Sequence, residues 1–165
     1  EIIYLLGDFG VKIANNQPKI IEKIEKLKIG DWTQQGLPFY SGNITYLYEM
    51  QVEIKEKQKI FVRIPDYRGT AVRILVNGKQ AGIIAWKPNE VDITDFIRSG
   101  NKCLLGIEIL GHRRNSHGPL HFHQKWPIWT GPSSFVPEGE EFIEDYQIVP
   151  CGLMKTPEVI RYSVE

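Results

Sequence analysis

The stretch Thr70–Ile97, TAVRILVNGKQAGIIAWKPNEVDITDFI, constrains the fold of this chain more than any other. Val72, Ile74 and Val76 alternate with Arg73, Leu75 and Asn77, the period-2 pattern of a strand that packs one face on a core. Asn77-Gly78 follows. Both central positions of a type I′ hairpin turn need positive φ, which Asn and Gly tolerate best, so a tight return is expected there. The chain comes back through Ile83, Ile84 and Trp86 to Pro88-Asn89, with Trp86 expected to pack in the core or at the end of a sandwich. Glu90–Ile93 reads as a short strand, and Thr94–Ile97 as a single helical turn capped by Thr94 or Asp95. Asn101–Leu110 (NKCLLGIEIL) is a strong strand. Strand, tight turn, strand, short capped turn and strand describe an all-β architecture.

The flanking segments fit the same plan. Residues 2–6 and 11–13 are short strand candidates, and 19–29 reads as strand, although Ile20, Ile24 and Leu27 also fit a helical stripe. Gly30–Gly42, with three Gly, one Pro and three aromatics, is loop with at most edge pairing. Asn43–Ile54 alternates without a break and is the longest strand signal. Residues 60–64, 142–149 and 158–164 complete about ten strands, with turn signals at the spacing of a β-sandwich. The reading is one antiparallel β-sandwich of the jelly-roll kind over residues 1–165, belonging to a longer protein because the chain opens at Glu1.

Bulk properties exclude several classes. Twenty basic and twenty acidic residues cancel, so nothing in the charge balance favours nucleic acid or an anionic membrane surface. No apolar run is long enough to span a bilayer as a helix. Cys103 and Cys151 stand far apart, without metal-type spacing, and Cys103 sits in an apolar strand where a buried free thiol is expected.

Three stretches resemble a known family. The hairpin pattern VNGK, G-x-x-x-W, P and D-I-T, before an apolar strand, resembles the galactose-binding-like jelly roll, the fold of the sugar-binding domain in family 2 glycoside hydrolases. GDWTQQGLPFYSGNITY resembles the opening of the C-terminal jelly roll of family 106-type α-L-rhamnosidases. RRNSHGPLHFH with FVPEGEEFIEDYQIVPCGL resembles its close. The family pattern there runs R-N-x-x-G-P-H-H. Arg114, Asn115, Gly118, Pro119 and His121 fall on it, and Leu120 replaces the first His. The resemblance implies a non-catalytic accessory domain at the C-terminal end of a bacterial glycosidase. Its partner would be the catalytic domain of the parent protein, which would carry the paired carboxylates.

Three constellations carry candidate chemistry. Sugar sites combine an aromatic plane for the C–H face with planar polar groups for the hydroxyls. Trp32, Gln35 and Tyr40 in one loop, and Arg114, Asn115, His117, His121, Trp126 and Trp129 in the other, form the candidate carbohydrate-contact set. The competing readings are that these aromatics plug the sandwich ends or dock onto the catalytic domain. His112, His117, His121 and His123 fall within twelve residues, and imidazoles so spaced ligate zinc or copper in other proteins. A polar loop whose imidazoles bond backbone around Gly118-Pro119 accounts for them without a metal, and no cofactor is expected. Finally, Glu138, Glu140, Glu141, Glu144 and Asp145 read as a solvated turn, not as the acid pair of a glycosidase. The expectation is a chain without catalysis of its own.

Overall fold

In the computed structural model, which describes residues 4–163, backbone pairing is antiparallel throughout. Eleven strands appear among the described residues: β1 Gly10–Ala14, β2 Gln17–Ile21, β3 Ile44–Gln51, β4 Gln58–Arg63, β5 Tyr67–Arg68, β6 Ala71–Val76, β7 Lys79–Ile84, β8 Glu90–Asp92, β9 Lys102–Leu110, β10 Gly152–Leu153 and β11 Glu158–Ser163. The single α-helical turn among them, α1, is Arg114–His117, and 3₁₀ turns lie at Trp32–Gln35, Thr94–Phe96 and Pro132–Phe135. The contacts gather into two compact units. One comprises the residues up to Ser41 with Arg113–Pro150; the other comprises Gly42–His112 with the residues from Cys151.

The second unit is an antiparallel β-sandwich. One sheet has the order β3-β9-β6-β7 and the other β11-β4-β8. Cross-strand rows on the inner face of the first sheet follow from its register: Tyr46, Ile107 and Ile74 form one, and Ile44, Ile109, Val72 and Ile84 another. Ile74, Val72, Ile107 and Ile109 are completely buried, as are Ile60, Val62 and Ile64 along β4 and its end. The sheets come close where Gly82 of β7 meets Val91 of β8. A Cβ at position 82 would fall 2.7 Å from Val91 Cγ1, so only glycine fits the approach.

The outer faces differ. On the three-stranded sheet Arg63 pairs with Glu90 (2.6 Å) and Glu158 (3.6 Å), and Lys59 pairs with Asp92 (3.2 Å). Tyr162 donates its hydroxyl to Glu90 and packs edge-on against Phe61. On the four-stranded sheet the Arg73–Glu108 pair (2.8 Å) sits among aliphatic side chains, with Leu47, Ile83 and Leu104 exposed.

The Asn77-Gly78 turn forms as expected. Val76 pairs with Lys79, and both turn residues take positive φ, 49° and 78°. Asn77 does more than turn the chain: its amide donates to the Leu104 carbonyl (2.8 Å) and its Oδ1 accepts from the Leu104 amide (2.9 Å). This pins the hairpin tip to β9. The turn at Thr94–Phe96 is present, but neither Thr94 nor Asp95 caps it; Ile93 stands at the cap position, and Asp92 Oδ1 accepts from the amide (3.0 Å) and hydroxyl (2.5 Å) of Thr94. The Thr94 hydroxyl in turn accepts from the Ile60 amide (2.9 Å), tying the turn to β4. Cys103 and Cys151 are buried free thiols, and burial pushes the Cys103 thiol upward from its ordinary pKa.

Other expectations need correction. Trp86 is 81% exposed, because it stands beyond the last paired residue of β7 rather than between the sheets. The strand expected at 142–149 does not form; Phe142 makes one isolated bridge with Phe122. The facing segment contains Pro119, which lacks an amide, and Asn115 takes both backbone groups of Val149, so no continuous ladder has partners. Within 19–29 only the residues to Ile21 are strand, paired with β1 through a turn at Asn15-Asn16, both at positive φ. Of the candidate at 2–6, residues 4–6 carry no regular structure and the rest lies outside the described residues, as does position 164.

Ile107→Ala, at the centre of the buried row, is expected to cost about 2–5 kcal/mol in urea denaturation, as large-to-small core changes do. Leu104→Ala, on the exposed face of the same strand, should cost less than about 1 kcal/mol. Equal losses would show that the outer face is also packed.

Candidate functional site

Most candidate residues lie in the first unit, where side chains hold the backbone in place of a sheet. Asp31 caps the Trp32–Gln35 turn by accepting from the Thr33 amide (2.9 Å), and Gly36 closes it at φ 89°. Aspartate before the turn and glycine after it are helix start and stop signals that a reading of this stretch as plain loop passes over. Trp32 is completely buried, with Tyr40 edge-on against it at 6.1 Å. Gln35 is a clamp. Its Oε1 accepts from the Lys28 amide (2.8 Å), and its Nε2 donates to the carbonyls of Lys28 (3.1 Å) and Asp31 (3.2 Å). In this loop Trp32 presents no ring face to a ligand, the Gln35 amide is occupied at both ends, and Tyr40 is 40% exposed.

The second loop is organised by Asn115, which is fully buried on α1. Its Nδ2 donates to the Val149 carbonyl (2.8 Å) and its Oδ1 accepts from the Val149 amide (2.9 Å). Between these anchors, single backbone bonds join 120–123 to 141–147: Gln147 to Leu120, Ile143 to His121 and His123 to Glu141. Arg114 is held along the chain. Its Nε donates to the Lys125 carbonyl (3.1 Å), and its side chain crosses Gly118, where a Cβ would lie 2.9 Å from Nη1. Both Nη atoms are buried without a hydrogen-bond partner among the described residues, and desolvation lowers the pKa of the guanidinium.

The imidazoles are held separately. His117 Nδ1 lies 2.7 Å from Ser116 Oγ, and the His117 ring stacks on Tyr4 at 5.2 Å. His121 Nδ1 lies 3.2 Å from the carbonyls of Ile143 and Glu144, with its ring between Phe142 (5.8 Å) and Tyr146 (4.4 Å). His123 pairs with Glu141 at the surface. Among the described residues no three His, Cys, Asp or Glu side chains converge as a metal site would require. Glu138, Glu140, Glu141, Glu144 and Asp145 are all exposed.

His117 and His121 line one hollow of about 210 Å³, whose walls are Leu120, Phe135, Val136, Pro137 and Phe142, with Tyr4, Ser116 and Ser134 also contributing. Phe135, Val136, Pro137 and Phe142 lie outside the candidate contact set that the sequence suggests. The run F-V-P beside a 3₁₀ turn that opens with Pro132 was the available signal. Trp126 and Trp129 stand outside this hollow, 65% and 75% exposed, on either side of the fully exposed Ile128. The Trp129 ring lies so close over Gly131 that a Cβ there would fall 2.3 Å from it.

Asn115→Ala should cost roughly 2–4 kcal/mol, because it leaves two buried backbone groups of Val149 without partners. Gln34→Ala, an exposed change one turn residue away from the Gln35 clamp, should stay within about 0.5 kcal/mol. Thermal or urea melts of both variants check this.

No protein-family model matches the chain, and no curated protein matches it. Solved structures do. The chain is similar to the rhamnosidase from Novosphingobium sp. PP1Y, with a TM-score of 0.57 and 18% identity over 93% of this chain and 14% of that one. It is similar to a family 2 glycosyl hydrolase from Bacteroides cellulosilyticus DSM 14838 (TM-score 0.50, 13% identity, 97% of this chain and 19% of that one). A β-glucuronidase from Faecalibacterium prausnitzii gives a TM-score of 0.51 at 14% identity, over 95% of this chain and 30% of that one. The chain therefore spans less than a third of each of these structures, and it has the all-β fold of a small part of large glycoside hydrolases.

Proposed function

We propose that this chain is a non-catalytic accessory domain of a bacterial glycoside hydrolase. It is a galactose-binding-like jelly roll, one domain at the C-terminal end of the parent, that supports the catalytic domain and contacts carbohydrate. The observation that carries this reading is the small share, 14–30%, that the fold occupies in the glycosidase structures it matches. The acidic side chains agree with it. The cluster at 138–145 is exposed, and a general acid needs an apolar setting to raise its pKa.

Carbohydrate contact falls to the candidates that stay wholly or partly exposed: Tyr40, His117, His121, Trp126 and Trp129. Trp32, Gln35 and Asn115 hold the loops that present them, and Arg114 braces α1 against Lys125. Ile128 between two exposed indoles favours a second role for that stretch, because a fully exposed aliphatic side chain suits a protein surface better than a sugar. There the catalytic domain of the parent would dock. An independent carbohydrate-binding module is the alternative, favoured by the aromatic-walled hollow beside His117.

A glycan array of the 165-residue chain, run beside a panel of nitrophenyl glycosides, tests the proposal. Expected are no glycoside turnover and weak binding to a subset of glycans, reduced in Trp129→Ala. Turnover that survives repurification would overturn the accessory reading, and an empty array would remove carbohydrate contact from it.

A further inference from the structure

We infer that the cavity between β1 and the Trp32–Gln35 turn binds one small monocarboxylate with a compact apolar body, such as an arylacetic or branched alkanoic acid. The cavity measures about 330 Å³, near the lower end of the range for ligand pockets, and its lining lies wholly within the first unit. It shares no lining residue with the aromatic hollow beside His117, and the inference is independent of the carbohydrate contact proposed above. No aromatic ring lines it, so it offers no plane for the C–H face of a sugar. Val11, Ile13, Ile21, Pro38 and Ile148 supply apolar walls. They favour a hydrocarbon body and disfavour a polyhydroxylated one or a strongly hydrated phosphate.

Three polar side chains line the same space, and all of them are uncommitted. Thr33 is only 6% exposed, and its hydroxyl has no hydrogen-bond partner among the described residues. A hydroxyl buried in this way lowers stability unless something in the cavity bonds it. Lys12 and Gln34 stand exposed at the rim, and neither side chain makes an ion pair or hydrogen bond among the described residues. β1 adds a backbone donor. Val11 donates its amide to the Gly36 carbonyl (2.8 Å), away from β2. Ile13 holds the equivalent position two residues along, so its amide points to the same side, where it takes no backbone partner among the described residues. The lining thus carries one cation and no Asp or Glu. Ammonium, amide and hydroxyl donors set against apolar walls match a carboxylate, whose two oxygens accept from several donors at once and whose single charge is met by Lys12. A neutral amide of the same shape would meet the walls but leave Lys12 without its counter-charge.

Titration of the 165-residue chain with sodium phenylacetate, phenylacetamide and sodium acetate, by calorimetry or ligand-observed NMR, tests the inference. Phenylacetate should bind saturably, about tenfold or more tightly than the neutral amide, and acetate, which lacks the apolar body, should not bind. Lys12→Gln should lower phenylacetate affinity by about tenfold and leave that of the amide unchanged. Thr33→Val removes the hydroxyl and keeps the shape. It should weaken phenylacetate binding without lowering the melting temperature, because the hydroxyl is unpartnered in the free chain. Lys79→Gln removes the same charge in the second unit and should change nothing. Equal affinity for acid and amide, or equal losses in Lys79→Gln and Lys12→Gln, would overturn the carboxylate assignment. Binding unchanged in both Lys12→Gln and Thr33→Val would overturn its placement in this cavity. If phenylacetate fails to bind at millimolar concentration the inference falls, and the accessory reading, which rests on other observations, stands.

Discussion

The side-chain amide of Asn115, closed on both backbone groups of Val149, is the interaction on which the first unit depends. Among the described residues the first unit has one hairpin and a few helical turns, too little regular structure to satisfy its backbone by ladders. Buried backbone groups need partners wherever they are. Asn115 meets that need at 2.8 and 2.9 Å with zero exposure, and fixes α1 while doing so. Gln35 clamps Lys28 in the same manner, and Asp31 caps the turn that buries Trp32. Polar side chains thus replace a sheet, and the segment 113–150 holds its shape without one.

The two units divide the physical tasks. The sandwich of the second unit is stabilised by rows of Ile, Val and Leu on matched registers, and its polar pairs sit on an outer face where they contribute little. The first unit displays what a ligand or partner would meet: imidazole edges, a lined hollow, and the Trp126–Trp129 stretch. A sugar surface needs aromatic planes and acceptors held still, since each side chain ordered on binding subtracts from affinity. The ring contacts of His121 with Phe142 and Tyr146, and of His117 with Tyr4, would supply that rigidity to the proposed surface.

How much of this was legible in the sequence differed by element. Alternation and the Asn77-Gly78 turn located β6, β7 and β9, because there the local signal and the burial agree. The strand expected at 142–149 showed equally good apolar spacing, yet its partner segment carries Pro119, and its last residue bonds to a side chain rather than to a strand. Periodicity reports burial but not where backbone bonds go. Trp32, Gln35 and Asn115 are sugar-contact types by sequence, and they are the chemistry of a clamp as readily as of a binding site. Planar amides and indoles suit both, and burial decides between them. The wall of the hollow went unread because Phe135, Val136 and Phe142 are ordinary apolar residues until the loop brings them together.

The central proposal is that residues 113–150 form a preorganised surface that would meet a sugar. Hydrogen exchange of the chain with and without a mixture of neutral methyl glycosides tests it most directly. The account predicts that amides at 115–121 and 142–149 are protected before any sugar is added, and that protection rises on addition only around 116–121 and 134–142. Rapid exchange throughout 113–150, or added protection confined to the sandwich strands, would contradict it.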